Sequence, residues 1–353
     1  MSPLEEHLSV TFLLNSLEFG GAERAFVTLA NELQRSGVEV EILGLRKGGE
    51  LCSAISQDVR VRVLGGSLPV RLSRLSQHLR RRTPRVLVSG LNEPNLIASP
   101  CSAGAGRRPP KVVLTQHTHL SEDARRSPSP RVRYFPALFQ LAARSADAVV
   151  AVSDGVRSDL VERHRLDRAR VHVIHNPLPL EHVQERSREP VEHAWLRPDR
   201  STPVILSVGR LHPAKGFDVL IRAVSILRRA RPARLLIVGE GAERSGLEDL
   251  IRREGLSGHV QLCGFQDNPW KFMARTDVFA FSSRWEGFGV VLVEALAVGA
   301  RVVATDCPTG PREILDGGRF GALTEVDDPE ALAAALAAVL DDEVCSRLDA
   351  VER

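Results

Sequence analysis

The chain has 353 residues, 43% of them hydrophobic, and a formal net charge of +3. That length exceeds one ordinary core and implies two domains of roughly 150–200 residues, and no run approaches the ~18 apolar residues of a membrane span. The five cysteines (52, 101, 263, 307 and 345) are odd in number and lack a C-x-x-C pair, which argues against a structural zinc site and fits a reducing cytoplasm. The N-terminal "MSPLEEHLSV" is acidic where a secretory signal would be basic.

The chain opens strand–loop–helix–strand. "LSVTFLL" is an apolar run of strand length, "NSLEFGGAE" a loop, "RAFVTLANELQRSG" a helix and "VEVEILGL" an alternating strand. In the loop, Gly20 and Gly21 would let backbone N–H groups approach an anion at the helix start, or simply allow a tight turn. It is not the G-x-G-x-x-G fingerprint of dinucleotide binding.

From Arg60 to Arg144 sixteen Arg or Lys face three acids. Such a surface suits anionic lipid headgroups, although the whole chain holds 43 Arg and only four Lys, so compositional bias is the competing reading. Nucleic acid is not expected, because aromatics for base stacking are nearly absent there. Strands follow at "RVLVSG", "KVVLTQH" and "AVVAVS". "TQHTHL" ends one of them with His117 and His119, which lack the companions of a metal site. One of the two is expected to hydrogen-bond a substrate hydroxyl or carbonyl.

Residues 176–203 are Pro-rich and charged, without a sustained apolar period, and 179–203 reads as a linker between a domain over 1–178 and another over 204–353. The second α/β series runs "VILSVG", a helix from Asp218 to Arg229, "RLLIVG", a helix near 243–254, "VQLCGF", "DVFAFS", a helix from about Val290 and "RVVAT". Strands alternating with helices give two Rossmann-like, doubly wound parallel sheets, expected to face across a cleft with ligands at the strands' carboxyl ends.

In "SVGRLHPAKGF", Arg210 offers a bidentate phosphate contact and Lys215 a point charge, a pair suited to a diphosphate. In "SRWEGFGVVLVEALAVGA", Gly287 and Gly289 free the backbone before a helix whose N-terminus favours phosphate. Glu286 lies in that loop, where it can accept from sugar hydroxyls. Glu294 lies among apolar helix neighbours, costly unless paired or ligand-bound; a ribose diol would suit it.

Together these segments resemble glycosyltransferase family 4, retaining enzymes of the two-domain GT-B fold that use nucleotide sugars. The resemblance covers essentially the whole chain and is strongest from Val204 to Leu315, where "SVGRLHPAKGFDVLIRA", "LLIVGEGAERSGLE", "VQLCGF", "SSRWEGFGVVLVEALAVGARVVATD" and "GPREIL" stand in the family's order and spacing. E-x7-E alone is a weak pattern; the ordered set is specific.

The resemblance implies that Glu286 faces the donor sugar, with Gly287, Phe288 and Gly289 against sugar and phosphate. It puts Glu294 on the ribose, Arg210 and Lys215 on the diphosphate, and Gly264 and Phe265 at the nucleobase. Gly20–Gly21 would meet the phosphates and His117 the transferred sugar, with His119 as its rival. No metal cofactor is implied, and no D-x-D signature occurs. "DCPTGPREIL" is similar to the variant in bacterial enzymes that build surface polysaccharide, lipopolysaccharide cores and lipid-linked oligosaccharides, which implies an acceptor at the inner membrane face. A nucleotide-sugar 2-epimerase on the same fold and a non-catalytic nucleotide-sugar binder are the competing readings. Family members usually continue past "PEALAAALAAVLDD" into a last helix that crosses back to the N-terminal domain; with the sequence reaching Arg353 soon after "EVCSRLDAVER", the expectation is either a short segment there or a truncated C-terminus.

Overall fold

The computed structural model describes residues 8–341 apart from 19, 107 and 128. The acidic N-terminus, Cys345 and the stretch after 341, where the departure from the family's crossing helix falls, lie outside the described residues.

The chain divides into two compact units between Pro177 and Leu178. The first holds a seven-stranded sheet of β1 (Ser9–Leu14), β2 (Glu39–Gly44), β3 (Arg60–Val63), β4 (Val86–Gly90), β5 (Lys111–Gln116), β6 (Ala148–Ala151) and β7 (Val171–Val173), in the order β3-β2-β1-β4-β5-β6-β7. The second holds six strands, β8 (Val204–Val208), β9 (Arg234–Val238), β10 (Val260–Leu262), β11 (Val278–Phe281), β12 (Val302–Thr305) and β13 (Ala322–Thr324), in the order β10-β9-β8-β11-β12-β13. Neighbouring strands are parallel throughout both sheets.

Buried continuous apolar runs make the central strands. Val204, Ile205 and Leu206 of β8 and Val278, Phe279 and Ala280 of β11 are each at most 1% exposed, as a parallel sheet covered on both faces demands. In each sheet the winding reverses once, between β1 and β4 in the first and between β8 and β11 in the second. Such a reversal is where an open parallel sheet usually receives its ligand, at the carboxyl ends of the strands.

The segment 179–203, read above as linker, is instead built into the second unit. Leu180–Ser187 is a helix that packs against Trp270–Met273 and Val290–Ala297. Val183 and Leu196 are buried in that unit's core. Two buried anchors are too few to print a helical period on an otherwise polar stretch. Among the described residues no helix is long and apolar enough to cross a membrane.

Candidate functional site

In the second unit, β8 and β11 are hydrogen-bonded neighbours, with Val278 opposite Ile205 and Phe279 opposite Leu206. Their outgoing loops therefore run side by side, and Lys215 and Glu286, 71 residues apart in sequence, meet with Nζ 2.5 Å from Oε1. Both side chains are mostly buried, 21% and 13% exposed. Ser283 Oγ donates to the same carboxylate oxygen at 2.6 Å. Lys215 Nζ also stands 5.7 Å above the Phe281 ring.

The loop backbones are tied together as firmly. Ser282 Oγ donates to the Lys215 carbonyl at 2.8 Å, and Arg284 N–H donates to the Ala214 carbonyl at 2.7 Å. The Arg284 guanidinium reaches Asp218 through two parallel 2.8 Å bonds, the Pro213 carbonyl at 2.9 Å and Asp327 at 2.5 Å. Burial alone would raise the Asp218 carboxyl. The hydrogen bonds from Arg284 and the charges of Arg284 and Arg222 outweigh it and hold the group below the usual carboxylate range. Such a bidentate pair is geometrically specific, and here it locks the turn carrying Lys215 onto the loop carrying Glu286. Nothing in the sequence pattern distinguishes Arg284, Asp218 or Ser283 from ordinary polar residues.

Two glycines are sterically required. Gly216 has φ +60, and a Cβ there would lie 2.1 Å from the Ser282 carbonyl oxygen. Gly310 has φ +97, and a Cβ there would fall 1.7 Å from the Phe288 carbonyl oxygen. Thr309, next to it, donates its hydroxyl to the Glu286 carbonyl. The "DCPTGPREIL" segment thus buttresses the Glu286 loop from behind.

Glu294 lies on the helix Val290–Ala297 and is 6% exposed, within the apolar core side. Gly289 caps that helix in a left-handed conformation, φ 98, and Gly287 and Phe288 are buried just before it. Arg210 is exposed, without an ion-pair partner among the described residues. At the next loop, the Gly239 N–H donates to the Gly264 carbonyl at 2.9 Å, and Phe265 beside it is 48% exposed.

In the first unit, Gly20 is extended, φ −161, and Gly21 opens the helix Gly21–Arg35 after β1. The ring of Phe26 on that helix packs against the ring of His117, just beyond β5, with centroids 5.2 Å apart and planes tilted by 56°. The Thr115 hydroxyl donates its single proton to the Ser89 carbonyl at 2.9 Å, so its 3.0 Å contact with His117 Nε2 makes it the acceptor. His117 therefore carries its proton on Nε2 and presents a bare, enclosed Nδ1 that has no partner among the described residues. Burial pushes its pKa down to about 4, so the ring is neutral near pH 7.

The second histidine is otherwise employed. His119 caps the helix Leu120–Arg126 by accepting from the Glu122 N–H, and its Nδ1 lies 3.4 Å from the buried Asp159 carboxylate. Asp159 also accepts from Ser121 Oγ at 2.5 Å. Of the two candidates in "TQHTHL", His117 holds a buried Nδ1 without a partner among the described residues, whereas the Nδ1 of His119 serves the helix cap. Leu91, following β4 at the reversal point, takes φ 71 and ψ 178, a region normally left to glycine, which no sequence pattern announces.

Known proteins resemble this chain in sequence and fold. The description "Glycosyltransferase Family 4" matches residues 19–182, and "Glycosyl transferases group 1" matches residues 190–353. The chain is 35% identical over 206 residues to the Campylobacter jejuni N-acetylgalactosamine-N,N'-diacetylbacillosaminyl-diphospho-undecaprenol 4-alpha-N-acetylgalactosaminyltransferase, covering 58% of this chain and 54% of that one; it thus spans about half of that relative's length. It is 30% identical to the Rhizobium meliloti lipopolysaccharide core biosynthesis glycosyltransferase LpsE over 92% of this chain and 86% of LpsE. Its fold is similar to that of Anabaena HepE, crystallised with UDP-glucose, at a TM-score of 0.80 with 21% identity, covering 98% and 97% of the two chains. With both halves matched in order and LpsE paired along most of its length, the chain belongs to the family 4, group 1 glycosyltransferases, with two Rossmann-like units of the GT-B class.

Proposed function

We propose that this glycosyltransferase is retaining and metal-independent, and that it moves a sugar from a UDP- or GDP-linked donor to a hydroxyl of a lipid-linked or polysaccharide precursor. The observation that carries the reading is the Lys215–Glu286 pair at the strand-order reversal of the second sheet. It sets a cation and a carboxylate side by side where a parallel sheet receives its ligand. The ammonium suits the donor diphosphate and the carboxylate suits the hydroxyls of the sugar.

In this reading Arg210 and Lys215 offset the negative charge that grows on the leaving diphosphate, the part a divalent cation plays in metal-dependent transferases. The start of the helix Val290–Ala297 adds N–H groups to the same end. Glu294 takes the ribose diol, and Gly264 with the exposed Phe265 takes the base. In the first unit Gly20–Gly21 serve the phosphates, and the bare Nδ1 of His117 accepts from a hydroxyl of the transferred sugar. In the transfer step the anomeric C–O bond to the diphosphate breaks, and a bond from the same carbon to the acceptor oxygen forms on the same face. The acceptor's proton passes to the departing phosphate oxygen, leaving a glycoside and a nucleoside diphosphate. Similarity to the Campylobacter diphospho-undecaprenol transferase and the Rhizobium lipopolysaccharide core enzyme supports an undecaprenol-linked or lipopolysaccharide-type acceptor, which in this reading is met at the inner membrane face.

The test is a panel of nucleotide sugars offered to the purified chain with a lipid-linked saccharide acceptor. Free nucleoside diphosphate from one donor, with a product whose anomeric proton coupling matches that donor, supports the reading. An inverted product contradicts retention, and a freed sugar epimer without a glycoside favours an epimerase.

A further inference from the structure

The second sheet has an opposite edge, away from Lys215 and Glu286, where the helices Phe217–Leu227 and Arg244–Arg253 end and β9 and β10 begin. There Ser225, Arg228, Arg229, Arg253, Glu254 and His259 line an open depression of about 420 Å³. None of the residues assigned to the donor lines it.

In a chain of 43 arginines a basic patch needs a contrast. Many guanidiniums of the second unit are paired: Arg222 and Arg284 with Asp218, Arg231 with Asp341, Arg244 with Glu240 and Glu248, Arg252 with Asp249, and Arg312 with Asp306. Arg228, Arg229 and Arg253 have no carboxylate partner among the described residues, and Arg228 holds the Ala233 carbonyl at 2.6 Å instead. Glu254, the one carboxylate in the wall, is in no ion pair among the described residues.

Arginines at helix C-termini often serve the last carbonyls. Here the backbone has taken those carbonyls. The Arg228, Arg229 and Ala230 N–H groups donate to Val224, Ile226 and Leu227, and beyond Arg253 the Gly255 and Leu256 N–H groups donate to Arg252 and Ile251. Gly255, at φ +68, closes that second end. His259 reports the resulting field. Burial first, and then the charges of Arg228 and Arg234, hold its imidazole below the usual range. A further cation is disfavoured there and an anion is favoured. No Phe, Tyr or Trp lines the depression, and its apolar residue Leu256 is buried, so neither a nucleobase nor an acyl chain finds a surface.

We propose that this depression binds a soluble phosphate compound of multiple charge, a diphosphate or longer, at a site separate from the donor loops. Arg229 and Arg253 can each take a phosphate group through paired N–H donors, Arg228 adds its charge, and Ser225 and His259 donate to the remaining oxygens.

The test follows the His259 ring by NMR in the full chain, its signals identified by their loss in His259→Gln, as inorganic diphosphate or orthophosphate is added. Diphosphate is expected to move those signals and raise the imidazole pKa toward its usual range, because a bound anion offsets the arginines. Orthophosphate should need a roughly tenfold higher concentration, and raised salt should weaken both. Arg229→Gln with Arg253→Gln should raise the half-saturating diphosphate concentration at least about tenfold, and Arg229→Lys with Arg253→Lys should raise it less. Both arginines are exposed, so melting temperatures without ligand stay unchanged and show that the variants fold. Lys215→Ala should leave the response intact, which separates this site from the donor assignment. No response to millimolar diphosphate, an undiminished response in the double glutamine variant, or a response lost in Lys215→Ala would overturn the proposal. A response to phosphatidylglycerol vesicles but not to diphosphate would overturn it too, by giving the cluster to a membrane.

Discussion

The two units hold their nominated residues by different means. In the second, Lys215 and Glu286 are fixed by polar contacts with each other, with Ser283 and, through the backbone, with Ser282, Thr309 and Arg284. In the first, His117 is fixed by packing on Phe26 and one hydroxyl, while its neighbour His119 is absorbed into a helix cap. A polar network places charges but binds them to one another, so a ligand must compete with or extend it. A packed ring instead leaves a bare acceptor ready for use. The comparison teaches that the second unit keeps its charges in a polar network, whereas the first holds a neutral hydrogen-bond acceptor by packing; the donor-diphosphate role proposed above for the second unit is what the following experiments test.

The comparison breaks most visibly at its strongest pair. Lys215→Ala and Glu286→Ala are each expected to lower the transfer rate at least about a hundredfold, equivalent to roughly 2.7 kcal/mol of barrier, while melting curves still show a folded protein. Near-normal rates in both would remove the second unit's primacy. Arg284→Ala should follow, because it leaves Asp218 without its bidentate partner: about 3 kcal/mol of stability is expected to be lost, measured by urea unfolding, together with activity. If the variant is as stable as the wild type, the two loops are held by something other than this brace.

The packed side is tested by pH. The His117 pKa is depressed to about 4, so the unfolded chain binds its proton first as pH falls below about 6.5. Stability from this group is complete above that value and is lost as pH drops toward 4. Between pH 7 and pH 5 the wild type should lose about 2 kcal/mol more than His117→Asn, read from unfolding midpoints. Equal slopes would mean that the ring is not enclosed. The smallest effect is expected at the reversal point of the first sheet, where Leu91→Gly should add about 1 kcal/mol by relieving its backbone.

The central strands were legible because continuous apolar runs such as "VILSV" and "VFAF" are what a sheet covered on both faces requires. Of the four edge strands, only β10, within "VQLCGF", was. β3 is "RVRV", exposed along its whole length, while β7 and β13 have three residues each, too short to show a period. The segment 179–203 looked like linker because its attachment rests on a few separated residues such as Val183 and Leu196. Lys215 and Glu286 were nominated from local chemistry and family resemblance, but their contact depends on β8 lying beside β11, a property of winding order rather than of either loop. The brace of Arg284 and Asp218 leaves no mark in the sequence, because each residue is unremarkable until the fold joins them.

The central claim, that Lys215 and Glu286 act as one donor-handling unit, is met most directly by a double-mutant cycle on kcat/KM. Transfer would be measured for the wild type, Lys215→Ala, Glu286→Ala and the double variant with the same donor and acceptor. The predicted result is that the double variant loses about as much as either single variant, because residues working as a unit give strongly non-additive losses. Losses that multiply, as for two independent residues, would contradict it.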